Sequence, residues 1–140
     1  MISKRFKLQK ITYILAHVSI FIVFFWFGLL KLVGTSPAYD LVDALRVITI
    51  PWWPMSSFFG FLGAVEMIIG ILFLFKKTEK VAIAILIPHM CTTFLPLIML
   101  PDIAWQSFLT PTLAGQYIVK NIIIVALATS VVIGYGKKSN

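Results

Sequence analysis

The sequence predicts an all-α integral membrane protein: a four-helix bundle with both termini on the cytoplasmic side and a short interfacial amphipathic helix between the first and second spans. Three observations predict it. Only 12% of the residues are charged and 60% are hydrophobic, with a mean hydropathy of +0.99, whereas soluble domains carry about 25% charged residues. Four apolar segments stand near or above the ~20 residues that cross a bilayer as a helix. Nine of the twelve basic residues lie in three clusters that flank those segments: Lys4, Arg5, Lys7 and Lys10; Lys76, Lys77 and Lys80; Lys137 and Lys138.

The first span is expected at about 11–33, ending in the aromatic run Phe24 to Phe27 with Lys31 close to its outer boundary. Its basic, then apolar, start resembles a signal peptide. The run from Ile11 to Leu30 nevertheless exceeds the usual h-region, and no A-x-A-like site follows, so it reads as a retained span. Ser36 then N-caps an amphipathic helix at about 37–48 with Pro37 at its first position. Leu41, Val42, Leu45 and Ile48 share one face, while Asp40, Asp43 and Arg46 lie largely elsewhere, a pattern suited to the membrane interface. Pro51, Trp52, Trp53 and Pro54 follow as a rigid turn at headgroup depth, where tryptophan is favoured.

The second span is expected at about 57–75 and the third at about 81–100, separated by only Lys76 to Lys80. Residues 101–112 connect to a fourth span at about 116–135. The whole chain, 1–140, forms one membrane domain, because four spans leave no room for a soluble catalytic domain. With the N-terminus inside, the nine clustered charges are cytoplasmic and the opposite connections hold Arg46 alone. The positive-inside rule applies to loops this short. The net charge of +7 therefore reads as topology and headgroup contact, not nucleic acid binding.

Helices in lipid associate through small residues and polar contacts. The second span offers Ser56, Gly60 and Ala64 on one stripe and Gly63 and Gly70 on a neighbouring one; the fourth offers Ala126, Ser130 and Gly134. The third carries Pro88 and Pro96, which free the carbonyls of Ala84 and Thr92, with Thr92, Thr93 and His89 near enough to satisfy them. Cys91, the single cysteine, excludes an internal disulfide and a CxxC motif and reads as a small core residue. No metal-spacing motif, nucleophile–base pair or phosphate loop is present, so whether the chain is an enzyme stays open.

An ionisable side chain inside a span costs ~2.5–3.5 kcal/mol and normally faces the bundle interior. At ~1.5 Å per residue, Lys31 lies roughly 3 Å below the outer boundary, Lys120 about 7 Å and Glu66 about 12 Å. His17 and His89 fall roughly 9 and 12 Å from the inner boundary. Lys31, Glu66 and Lys120 thus suggest a Lys–Glu–Lys cluster, with Gln116 and Asn121 beside Lys120 completing a ligand pocket. Such a pocket suits an anionic or carbonyl-bearing ligand, including a quinone head group. The competing reading is a register-locking ion pair with Lys31 snorkelling to the interface. Two histidines on facing spans would suit haem only at matching depth; a core histidine satisfied by its neighbours is the simpler reading of each.

Three stretches resemble a known family. They are Phe27-Gly28-Leu29-Leu30-Lys31 with Ser36-Pro37-Ala38, Gly63-x-x-Glu66-x-x-x-Gly70, and Gly115-Gln116-Tyr117-Ile118-Val119-Lys120-Asn121. Together they resemble the DoxX-like superfamily of small bacterial inner-membrane proteins, and a related group with one member implicated in reactive-chlorine resistance. The resemblance implies a four-helix membrane bundle in the inner membrane and a role as membrane subunit or accessory factor in quinone-linked redox or redox-stress processes, the founding member being described as a subunit of a thiosulfate:quinone oxidoreductase. It implies a redox partner protein or homo-oligomer and a periplasmic-side pocket at Lys31, Glu66 and Lys120; none of its motifs covers His17, His89 or Cys91, so it carries no role onto them. The alternative expectation is a non-enzymatic carrier of an anionic solute, or a membrane scaffold.

Overall fold

Apolar residues run almost without interruption through the long segments, and a chain of this kind satisfies its backbone within each segment by forming helices. The computed structural model describes residues 2–136 and is helical over most of them. In chain order the elements are α1 (Ile2–Leu32), α2 (Tyr39–Thr49), α3 (Met55–Phe73), a 3₁₀ turn (Lys76–Thr78), α4 (Glu79–Phe94), α5 (Pro96–Met99), α6 (Pro101–Ala104), a small antiparallel hairpin of β1 (Trp105–Ser107) and β2 (Thr110–Pro111), and α7 (Leu113–Gly136). Four segments are long and apolar enough to cross a membrane: Lys7–Leu32, Met55–Phe73, Lys76–Met99 and Leu113–Gly134. These are the four expected from the sequence, with ends shifted by a few residues. Lys137 and Lys138, the third basic cluster, lie outside the described residues. The hairpin departs from the all-α expectation, with its tip residue Leu109 at φ 55°.

Glycine sets the tightest helix contact. A Cβ added to Gly28 would meet the Gly63 carbonyl oxygen at 2.5 Å, and one added to Gly63 would meet that of Gly28 at 2.6 Å. The backbones of α1 and α3 therefore touch where neither residue has a side chain. Gly70 repeats the arrangement lower down, with Phe25 N at 3.0 Å and Phe21 O at 3.2 Å from its added Cβ. Of the two candidate stripes on this helix, the Gly63–Gly70 stripe makes the contact. Ser56 is exposed, and Gly60 and Ala64 are only half-buried. On α7 the expected Ala126–Ser130–Gly134 face is exposed, and the buried positions are Gly115, Ile118, Ala128 and Val131.

Ile20, Phe24, Ile69, Phe73, Ala82, Leu86, Met90 and Ala128 pack into one core that joins all four long helices. Cys91, expected in that core, instead faces outward from α4. Pro88 sits inside α4, and Pro96 starts α5, so the third segment breaks at Leu95. The Thr92 carbonyl is taken by the Leu95 N–H at 3.2 Å. The hydroxyls of Thr92 and Thr93 donate to the His89 carbonyl at 2.7 and 3.0 Å, not to the carbonyls that the prolines free.

The two ends of the bundle differ. The basic end carries the start of α1 and the turn Lys76–Thr78; the other carries α2, the tryptophan turn and the hairpin. Helix α2 starts two residues later than expected, because Ser36 Oγ accepts the Ala38 N–H at 3.3 Å in a local turn and does not cap the helix. Arg46 folds back over Asp43, 2.6 Å from its carboxylate, and donates to the carbonyls of Pro51 and Trp53 at 3.2 and 3.1 Å. At the start of α7, Thr112 Oγ1 accepts the Gly115 N–H at 3.1 Å, an N-cap that starts the helix three residues before the expected boundary.

Candidate functional site

Because Gly28 and Gly63 remove the bulk between α1 and α3, side chains three residues beyond each can meet across the seam. Lys31 and Glu66 are those residues. An added Cβ at Gly63 would lie 3.0 Å from Lys31 Cβ, so the glycine clears the base of the lysine stem. Lys31 Nζ donates to Glu66 Oε2 at 2.6 Å. The other carboxylate oxygen, Oε1, faces His89 Nε2 of α4 at 3.2 Å. Lys31 and Glu66 are each 9% exposed, and the Phe24 ring lies edge-on to His89 with centroids 6.2 Å apart. One carboxylate thus gathers an ammonium from α1 and an imidazole from α4.

This is a Lys–Glu–His cluster, which corrects the Lys–Glu–Lys expectation. Lys120 has a suitable height along α7 but the wrong rotational phase. It stands two residues, about 200°, beyond the buried Ile118 on a helix of ~3.6 residues per turn. Its side chain is exposed, with Nζ 5.3 Å from the centroid of the exposed Tyr117 ring. Gln116 is likewise exposed and Asn121 half-buried. The ion pairs of Glu66 among the described residues are with Lys31 and His89. The pairing with His89 had a signal in the sequence, since Glu66 and His89 each fall near the middle of their segments.

His17 goes elsewhere. Its Nε2 lies 2.7 Å from Glu79 Oε1, and its Nδ1 lies 2.7 Å from the Tyr13 carbonyl oxygen. Tyr13 Oη donates to the same Glu79 oxygen. His17 and Glu79 are each 5% exposed. The two histidines therefore serve two different carboxylates. Glu79 is hidden in the sequence because residues 76–80, with three lysines, have the composition of a solvated basic connection. In the structure Glu79 opens α4, where the helix dipole favours an acid, and its side chain turns inward. Tyr13, one turn before His17, was the available clue.

Among the described residues no three His, Cys, Asp or Glu side chains group as a metal site. Nor, among the described residues, does any buried side-chain N or O atom lack a hydrogen-bond partner. A shallow groove of about 280 Å³ lies on α1, lined by Phe21, Ile22, Phe25, Trp26 and Leu29; it contains none of the cluster residues. Chemically, the Lys31–Glu66–His89 cluster offers two donors that a ligand oxygen can recruit and one carboxylate that can accept or return a proton. Comparisons with protein-family models, with curated proteins and with solved structures find no match to this chain.

Proposed function

We propose that this chain is a multi-pass protein of the bacterial inner membrane, of the DoxX-like type, with both termini cytoplasmic. In this reading it is a membrane subunit or accessory factor of quinone-linked redox or redox-stress processes, working with a redox partner protein or a second copy of itself, and it binds a quinone head group at Lys31, Glu66 and His89. Membrane insertion is supported by the large apolar side chains that the long helices leave exposed, among them Ile11, Leu15, Ile22, Ile68, Val81 and Ile123. An exposed apolar surface of that extent marks a membrane or an interface. The clustered basic residues support the orientation.

The observation that carries the ligand reading is the buried convergence of Lys31 Nζ and His89 Nε2 on Glu66. Ionisable groups in the middle of apolar helices are costly and mark ligand or proton pathways. With Lys120 turned away, an ionised Lys31 and Glu66 cancel, so the cluster is better matched to a neutral carbonyl than to an anion. A quinone oxygen would accept from Lys31 or His89 in place of Glu66. The protein is purified in mild detergent, its lipid extract is analysed by mass spectrometry, and a soluble short-chain quinone is titrated against the intrinsic fluorescence. Co-purified quinone and saturable quenching, both lost in a folded Lys31→Met/Glu66→Gln variant, are expected; neither in the wild type sinks the ligand reading. A scaffold role is the second reading, favoured by the absence of unsatisfied buried polar side-chain atoms among the described residues.

A further inference from the structure

The Tyr13–His17–Glu79 cluster lies outside the proposed ligand site, and its hydrogen bonds do not close unless it holds a proton. The Tyr13 carbonyl oxygen can only accept, so the 2.7 Å contact from His17 Nδ1 requires Nδ1 to carry a hydrogen. A neutral imidazole has one N–H, which leaves Nε2 as a bare lone pair. Nε2 lies 2.7 Å from Glu79 Oε1. If Glu79 is ionised, two acceptors meet at hydrogen-bond distance. One additional proton resolves this, either on Nε2 as an imidazolium or on Glu79 as a carboxylic acid that donates to Nε2. Tyr13 Oη also donates to Oε1 and is compatible with both forms. At the other site no such constraint arises, because no second acceptor fixes the tautomer of His89, whose Nε2 lies 3.2 Å from Glu66 Oε1.

We propose that Tyr13, His17 and Glu79 form a proton-binding site at the basic end of the bundle, which holds one proton between His17 Nε2 and Glu79 Oε1 and thereby pins α1 to α4. Release gives a neutral imidazole with its hydrogen on Nδ1, an ionised Glu79 and a proton in water; the two facing acceptors then repel and the pin opens. The site exchanges with the aqueous phase at its own end only. His17 and Lys31 are fourteen residues apart on α1, roughly 21 Å at ~1.5 Å per residue, and Ile20, Phe24, Ile69, Phe73 and Leu86 fill the core between the clusters. By position in the chain, the other titratable groups on the elements around it are Lys10 on α1, Lys76 and Lys77 on the 3₁₀ turn and Lys80 on α4. The four lysines are exposed, and the last two turns of α3 carry no titratable residue.

The test is ¹⁵N NMR of histidine-labelled protein in lipid nanodiscs across a pH series, with His17 assigned through a His89→Gln variant. The expected result is that His17 keeps its hydrogen on Nδ1 throughout. At the acidic end Nε2 is protonated or bonded to a Glu79 carboxylic acid, and that proton leaves as pH rises. A neutral His17 with its hydrogen on Nε2 and a bare Nδ1 overturns the proposal, as does a neutral His17 facing an ionised Glu79 at every pH at which the protein is folded. Dye-detected proton release on a pH jump gives a second reading. Wild type should release one proton per chain more than a folded Glu79→Gln variant, and equal release overturns the proposal. If Glu79→Gln does not fold, the wild-type spectra decide alone.

Discussion

Replacing Glu66 with Gln keeps the side chain's size and removes its charge, leaving the Lys31 ammonium 9% exposed with no anion beside it. Removing one partner of a buried pair costs about 3–5 kcal/mol, most of it the penalty of the stranded charge. Lys31→Met strands Glu66 in turn, but His89 remains 3.2 Å from Oε1 and can support the carboxylate, so this single change should cost less than Glu66→Gln. Combining the two removes both charges, and apolar replacement of a buried pair is often close to neutral. The double variant should therefore recover at least ~2 kcal/mol relative to Glu66→Gln alone, a coupling within the range for contacting residues. Reversible unfolding in mixed detergent micelles, run on all four proteins as a double-mutant cycle, measures it. A Glu66→Gln cost below about 0.5 kcal/mol, the size of an ordinary surface change, would refute the reasoning. So would single costs that simply add.

Three further outcomes follow from named contacts. Gly63→Ala places a methyl 2.6 Å from the Gly28 carbonyl oxygen and should cost about 1–3 kcal/mol as an overpacked contact, while Gly60→Ala, whose added Cβ meets only Leu32 at 4.0 Å, should be nearly neutral in the same unfolding assay. Gly115→Ala sets a Cβ 2.1 Å from the Ala104 carbonyl oxygen; since backbone cannot move aside as a side chain can, the hairpin connection should loosen, read as faster amide exchange over residues 101–112. Arg46→Ala removes the donors to the Pro51 and Trp53 carbonyls, worth about 1.5–3 kcal/mol to a charged donor, and should raise amide exchange and Trp53 mobility in the 50–54 turn without altering the α1–α3 seam.

How far the sequence reaches differs from residue to residue. The four long helices and the stretch of α2 are legible because length, apolar composition and periodicity are local properties that hold wherever the helix ends up. The Gly63–Glu66–Gly70 spacing on α3 shows which residues share a face, yet Ser56, Gly60 and Ala64 share a face equally well. Only the approach of α1 decides between them, through Gly28. Depth along a helix is likewise countable from sequence, and it correctly puts Glu66 and His89 near the middle of their segments. Rotation about the helix axis is not countable until a neighbour is fixed, which is why Lys120 lies at a plausible height on the wrong side of α7 and Cys91 faces outward.

Glu79 fails for a related reason. Set among three lysines, it has the composition of a solvated turn, and nothing within that stretch says that the 3₁₀ turn before it will point its carboxylate at His17, sixty-two residues earlier in the chain. The sequence by itself determined four apolar helices, their basic flanks and the amphipathic stretch of α2, because hydropathy and charge placement act through solvent and need no partner. The tertiary structure alone decided that two carboxylates each collect a histidine, one with Lys31 and one with Tyr13. A buried charge takes whichever polar group the packing brings within about 3 Å, and packing is set by where two glycines let two helices touch.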